Sequence, residues 1–293
     1  MAEQEEWTVG RLLTWTTDYL KKNGSESARL DAEVLLSHAR SCSRIELYTS
    51  FNDLVPPDVR AKFRELVKRR ADGAPVAYLV GEREFFSLRF KVTPDVLIPR
   101  PETETLVVLA LTHLKSLPAD ATPSVLDVGT GSGAIVIALA KHFPAARFHA
   151  VDVSPAALAV AKENAASHGV LEQIEFTQSD LLSSASGGPF DLIVSNPPYV
   201  SEPEYAALPR DVRDFEPRLA LVGGERGGEL VEHLLIQAAD QLKPGGRILI
   251  EISPMLEKPL VEFLNTQPAY EQVGVQKDYA QLARVIGATR RPA

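Results

Sequence analysis

The 293-residue chain holds a single cysteine, Cys42. It can therefore form no internal disulfide, and so few thiols fit a reducing compartment. No apolar run approaches the roughly 18–20 residues that a membrane span needs. The six histidines (His38, His113, His142, His149, His168 and His233) show no HxxxH spacing and no paired cysteines, so metal catalysis has no visible support. The opening MAEQEEW is acidic and lacks the basic region of a targeting peptide. The expectation is a cytoplasmic chain with neither membrane nor metal partner.

Basic charge is also scarce. The net charge is −8, and residues 1–85 carry 13 Lys+Arg against 14 Asp+Glu, leaving 18 against 25 for residues 86–293. Affinity for nucleic acid rests largely on neutralising phosphates, so this balance disfavours a nucleic-acid partner. The basic stretch KFRELVKRR (62–70) reads as the solvated face of a helix. What is present is ordinary globular composition, 45% hydrophobic and 24% charged, with length enough for two domains.

The pattern is helical up to about residue 80. VGRLLTWTTDYLKK places Leu12, Leu13, Trp15 and Leu20 near one face, ARLDAEVLLSHAR repeats the idea with Leu30, Val34 and Leu35, and a third helix follows Pro56-Pro57. EFFSLRFKVTPDVLIPRPETE (84–104) then surrounds a turn-prone TPD with aromatic and β-branched residues, which predicts a β-hairpin linker. Beyond it strands and helices alternate. SVLDV (124–128), RFHAVDV (147–153), IEFTQ (174–178), FDLIV (190–194) and GRILIEI (246–252) read as strands of a mostly parallel sheet, with 271–276 and 282–287 as an antiparallel edge. The expected division is a helical domain (1–83), a hairpin linker (84–101) and an α/β domain (102–293).

Within VLDVGTGSGAIVIALA (125–140) a strand, a glycine-rich turn and a helix follow one another. Gly129, Thr130, Gly131, Ser132 and Gly133 would let a ligand approach the backbone at a helix start. Asp152, beside Val153, ends the next strand where a carboxylate would accept ribose hydroxyls. Asp180 could take an adenine amino group, with Leu181 against the ring. Asp127, just before the glycines, would repel a pyrophosphate and welcome a cationic group. The competing reading of these aspartates is helix capping, with Ser154 and Asp180 at helix starts. SNPPYV (195–200) follows FDLIV directly, and its two prolines make a stiff, non-helical turn at the carboxyl end of a buried strand, where open α/β sheets bind ligands.

With these motifs the chain resembles the class I S-adenosylmethionine-dependent methyltransferases. The resemblance implies a Rossmann-like seven-stranded sheet with S-adenosylmethionine over Gly129–Gly133 and its ribose on Asp152. Within that family Asn196, Pro197, Pro198 and Tyr199 imply methylation of a planar nitrogen, a base amine or a side-chain amide. Such a nitrogen is a poor nucleophile and must be oriented while positive charge develops on it. The Asn196 side-chain oxygen and the Pro197 carbonyl would accept its two N–H hydrogens, Pro198 would stiffen the turn, and Tyr199 would lie against the planar group.

Flanking segments narrow the substrate. PVAYLVGEREFFSLRFKVTPDVLIPRPETE (75–104), SNPPYV, EPRLALVGGERGG (216–228) and KDYAQLARVIG (277–287) resemble the HemK-type protein-(glutamine-N5) methyltransferases. That resemblance implies, as substrate, the glutamine in the Gly-Gly-Gln loop of class 1 peptide-chain release factors. The helical domain is assigned to recognition of the factor, because the modified loop is short and the factor is large, and a monomer without direct contact to nucleic acid is expected. A ribosomal-protein glutamine and an adenine N6 are the alternatives. Glu102 and Glu104 are expected to open a helix beside the cofactor, and the loop around 201–225 to order only on binding. EISPMLEKPL (251–260) departs from the family's pattern after the strand glutamate.

Overall fold

Five helices precede Gly81 in the computed structural model, which describes residues 6–278 and 280–292. The first five residues of the acidic opening, and Tyr279 of KDYAQLARVIG, lie outside the described residues. Helix α1 (Val9–Lys22) starts where the Thr8 hydroxyl accepts the Arg11 N–H at 3.2 Å, and it buries Val9, Leu12, Leu13, Thr16 and Leu20. Helix α2 (Ala28–Arg40) buries Ala32, Leu35 and Leu36. A reciprocal Ser43–Glu46 capping box opens α3 (Arg44–Thr49). Helix α4 (Pro57–Ala71) carries proline in its first turn, where the missing N–H costs nothing, and α5 (Val76–Val80) stops at a left-handed Gly81.

Two residues assigned to this core from sequence face outward: Trp15 is 51% exposed and Leu30 is 45% exposed. At 3.6 residues per turn, Trp15 lies roughly a third of a turn off the Val9–Leu13–Thr16–Leu20 stripe, and its ring stacks on Tyr19 instead. The helices also bury two carboxylates. Asp31 pairs with Arg70 at 2.7 Å, and Glu33 is held by Arg29, Arg44 and the Tyr48 hydroxyl. One distant segment, Arg210–Phe215, belongs to this unit. The partly buried Phe215 packs against the helical core beside Gly73, and Asp211 lies 3.7 Å from Arg70.

The second unit comprises Glu82–Pro209 and the chain from Glu216 onward. It opens with the antiparallel hairpin β1 (Glu82–Phe85) and β2 (Leu88–Lys91). The turn falls at Phe86–Ser87, both at positive φ, and not at the expected TPD, which lies beyond the hairpin. Positive φ at both central residues matches the strands' own twist, and Glu104 accepts the Phe86 N–H at 2.9 Å. Next come α6 (Glu104–Ser116), β3 (Ser124–Val128), α7 (Ala134–His142), β4 (Arg147–Asp152), α8 (Pro155–Ser167), β5 (Ile174–Gln178) and β6 (Phe190–Ser195). Segment 200–224 is built, not a bare loop, with β7 (Val200–Ser201), α9 (Glu202–Ala207) and β8 (Val222–Gly224) in this unit and α10 (Arg210–Arg213) in the first. A Ser201–Glu204 capping box starts α9. Then follow α11 (Glu229–Gln241), β9 (Leu242–Glu251), α12 (Glu257–Thr266), β10 (Tyr270–Lys277) and β11 (Ala283–Arg290).

The main sheet has seven strands in the order β10-β11-β9-β6-β3-β4-β5, with β9 to β5 parallel and β10–β11 an antiparallel edge. Apolar residues cover both faces. Val125, Leu192 and Val194 pack with α6 and α7, whereas Leu126, Val128 and Ile193 pack with α11 and α12. Strand side chains alternate between faces, so Asp127 falls on the α7 side of β3.

Candidate active site

Strand order reverses between β3 and β6, and in such sheets the loops diverge at that point and leave a crevice at the strands' carboxyl ends. A cavity of about 480 Å³ lies there. The turn after β3 forms its floor. Gly129 and Gly131 are at positive φ, and a Cβ on either would point into open space, so ligand atoms can reach the backbone. Gly133 serves packing instead: a Cβ there would meet Ile137 at 2.8 Å and Ala161 at 3.3 Å.

Asp152 closes one side of this floor, its two oxygens accepting the Gly131 and Ser154 N–H groups at 2.9 Å each. Burial raises its pKa. Val153, Asp180 and Leu181 line the same wall. Ser154 caps α8 by accepting the Ala157 N–H at 3.2 Å, whereas Asp180 starts no helix and stands exposed in a turn. Capping therefore accounts for the serine and leaves Asp180 without that explanation. Asp127 does not line the cavity; it lies wholly buried beneath the glycine turn because it shares the face of Val125. Its Oδ2 accepts the Thr130 hydroxyl at 2.7 Å, and Oδ1 has no hydrogen-bond partner among the described residues. Burial pushes its carboxyl up to about 7, and the neighbouring Asp152 adds to the shift.

The opposite wall is the turn Asn196-Pro197-Pro198. The Asn196 side-chain N–H donates to the Thr103 hydroxyl at 3.1 Å, which leaves Oδ1 as its unclaimed acceptor. Tyr199 departs from expectation: it does not line the cavity, and its phenol turns away to donate to Glu251 at 3.4 Å. Burial among the α11 and α12 side chains, and the Glu251 charge, raise the phenol's pKa. Behind the turn runs β8, whose Gly223 has no room for a side chain. A Cβ there would lie 2.5 Å from the Gly227 carbonyl oxygen, 2.9 Å from the Pro198 carbonyl carbon and closer still to the Pro198 oxygen.

Sequence reasoning singled out Glu102 and Glu104 but passed over Thr103 between them, although a threonine after IPRPE is the residue whose hydroxyl meets Asn196. Glu102 lies in a 3-10 turn (Pro101–Thr103), and Glu104 begins α6. It also passed over Glu216, buried at the cavity's edge, where it accepts the Ile98 N–H at 3.2 Å and pairs with Arg100.

A family model for the PrmC N-terminal domain matches residues 11–81, and one for the methyltransferase small domain matches residues 109–210. A release factor glutamine methyltransferase of Rhodopirellula baltica is 48% identical over 96% of this chain and 95% of its own length. That of Chlorobaculum tepidum is 40% identical over 97% and 98%. The chain belongs to the release factor glutamine methyltransferases. Solved methyltransferases share its fold at low identity. The human Mettl16 catalytic domain matches with a TM-score of 0.57 at 17% identity, covering 78% of this chain and 84% of that one. A Pyrococcus furiosus methyltransferase matches with a TM-score of 0.51 at 21%, covering 77% and 98%. Among the methyltransferase's described residues no helix is long and apolar enough to cross a membrane.

Proposed function

We propose that this methyltransferase transfers a methyl group from S-adenosylmethionine to the side-chain amide nitrogen of the glutamine in the Gly-Gly-Gln loop of peptide-chain release factors. One observation carries the reading: Asn196, held through its N–H by Thr103, presents a spare amide oxygen to the same cavity that the glycine turn and Asp152 line. A pocket for a nucleoside donor and an acceptor for a planar N–H₂ group thus share one space.

The residues fit such a donor. The open backbone at Gly129 and Gly131 admits its amino-acid portion, Asp152 offers oxygens to ribose, and Asp180 with Leu181 meets the adenine. The unpartnered Asp127 Oδ1 supplies negative potential from below. When bound, S-adenosylmethionine supplies an electrophilic methyl group on a positively charged sulfur. The chain's own task is orientation. Asn196 Oδ1 and the Pro197 carbonyl accept the two amide hydrogens, so the nitrogen's otherwise delocalised electron pair is aimed along the cavity. As the nitrogen–carbon bond forms, positive charge grows on nitrogen, and both acceptors strengthen with it. The surplus proton leaves to water afterwards, so no general base is needed. Tyr199 acts here from behind the turn, through Glu251, and not as a platform for the amide. The helical unit is assigned to recognition of the release factor's body.

The test is transfer of labelled methyl to a purified release factor, to the same factor with the loop glutamine changed to alanine, and to a DNA duplex. Label on the native factor alone is the expected outcome. Label on DNA or on the alanine variant would overturn the reading.

A further inference from the structure

Leu219 is 62% exposed and yet lines the cavity. A leucine standing alone on a protein surface needs no account, but this one is held in place at the rim of a binding site. It sits at the centre of a 3-10 turn (Arg218–Ala220), and three separate ties fix that turn. Before it, Glu216 accepts the Ile98 N–H at 3.2 Å and pairs with Arg100. Within it, Arg218 pairs with Glu202 on α9, and its guanidinium lies 4.5 Å from the centre of the Tyr205 ring. After it, the Leu221 carbonyl accepts the Val200 N–H at 2.9 Å, where β8 pairs with β7. Strand β7 directly follows the turn Asn196–Tyr199, so Leu219 belongs to the wall that carries the glutamine acceptors. Among the described residues only one other large apolar side chain both lines the cavity and is exposed, Val153 at 41%, and it adjoins Asp152 on the donor wall.

We propose that Leu219 is a substrate lip: the backbone of the release factor loop crosses it on the way to Asn196, and the leucine covers the glycines that precede the glutamine. The inference rests on the glutamine-methylation reading and adds to it the contact that the loop makes outside its reacting side chain. The occupant follows from continuity with the cavity. A peptide whose glutamine reaches Asn196 leaves the cavity over the rim on that wall, and Leu219 is the exposed apolar side chain there. Glycine suits such a lip, because a residue without a Cβ lets the leucine lie flat against the peptide. The three ties set the lip before the loop arrives, so little freedom is lost on docking. A contact of this kind touches neither the donor nor the reacting nitrogen. It stabilises substrate and transition state alike, and its loss is read in KM and not in kcat.

The experiment is steady-state methylation of a whole release factor and of a short Gly-Gly-Gln peptide, beside a calorimetric titration with S-adenosylmethionine. Leu219→Asp should raise KM about 5- to 20-fold for both substrates, the effect of forgoing the burial of roughly two thirds of a leucine, with kcat and donor affinity unchanged. Leu219→Met, which keeps an apolar side chain of similar size, should stay close to the wild type. An unchanged KM in Leu219→Asp overturns the proposal. So does a rise confined to the whole factor, which would set the leucine against the factor's body. Weakened donor binding, or a fall in kcat at constant KM, overturns it too, by assigning Leu219 to the donor or to support of the proline turn. Wild-type protein that labels neither substrate counts against the function reading instead. Titration of the peptide onto wild type and Leu219→Asp, each saturated with S-adenosylhomocysteine, then decides the lip by itself: weaker binding by the variant supports it, and equal affinity or no binding by the wild type overturns it.

Discussion

Replacing Gly223 by alanine tests whether the proline turn must sit where it does. The new methyl carbon would stand 2.5 Å from the Gly227 carbonyl oxygen and closer still to that of Pro198, where ordinary contact begins at 3.4 Å. Both neighbours are backbone, so neither can rotate out of the way. The turn bearing Asn196 and Pro198 must retreat by roughly 1 Å, a displacement that costs about 100-fold in rate, or ~2.7 kcal/mol of transition-state free energy. Donor affinity should survive, because the glycine turn and Asp152 hang from different strands. The assay is kcat on a release factor beside a calorimetric titration with S-adenosylmethionine. Gly274→Ala, with open space around its Cβ, serves as the control for glycine replacement itself. A Gly223→Ala enzyme with full kcat would refute the claim that this turn is held to within an ångström.

Asn196→Ala should remove about 10²-fold or more of kcat while leaving donor binding within a few-fold, as expected for an orienting group that acts only on the acceptor; equal activity of the variant sinks the assignment. Asp127 gives a pH signature of its own. With its carboxyl pushed up to about 7, it is neutral below that pH and anionic above it, so affinity for the cationic donor should rise as pH increases through 7. In Asp127→Asn that dependence should vanish and affinity should stay at the low-pH value, as read by titration calorimetry across the range. On the helical unit, Ile45 is 76% exposed. If that unit recognises the factor's body, Ile45→Asp should raise KM for the whole factor and leave KM for a short Gly-Gly-Gln peptide unchanged.

The alternating strands and helices were legible because each strand of the second unit is a short apolar run bounded by turn residues, and the antiparallel edge at β10–β11 was visible for the same reason. The glycine turn and the proline turn were legible because each is a local pattern on contiguous residues. Contacts across the chain were not. Thr103 meets Asn196 from 93 residues away, and Glu251 meets Tyr199 from 52 away, so no spacing rule connects them. Tyr199 was misplaced for a related reason. Its sequence shows an aromatic after two prolines but not the apolar bed beneath α11 and α12 that draws the ring inward. Trp15 and Leu30 show the limit of counting apolar residues without their exact helical angle. Segment 200–224 looked like loop because its helices are too short to leave a periodic signal, and its caps and the buried Glu216 hold it instead.

The excursion of Arg210–Phe215 into the helical unit has a consequence for the order in which the nascent chain matures. The first 81 residues cannot complete their packing until residue 215 has been made, because the partly buried Phe215 packs against their core. At roughly 5–20 residues per second, a ribosome needs about 7 to 27 seconds to cover that gap. During that interval the helices stand without the side chain that covers their core, while the strands from β1 to β6 emerge. The two units are thus coupled in time, and a graft that exchanged the helical domain by cutting once, after Gly81, would leave its final piece behind.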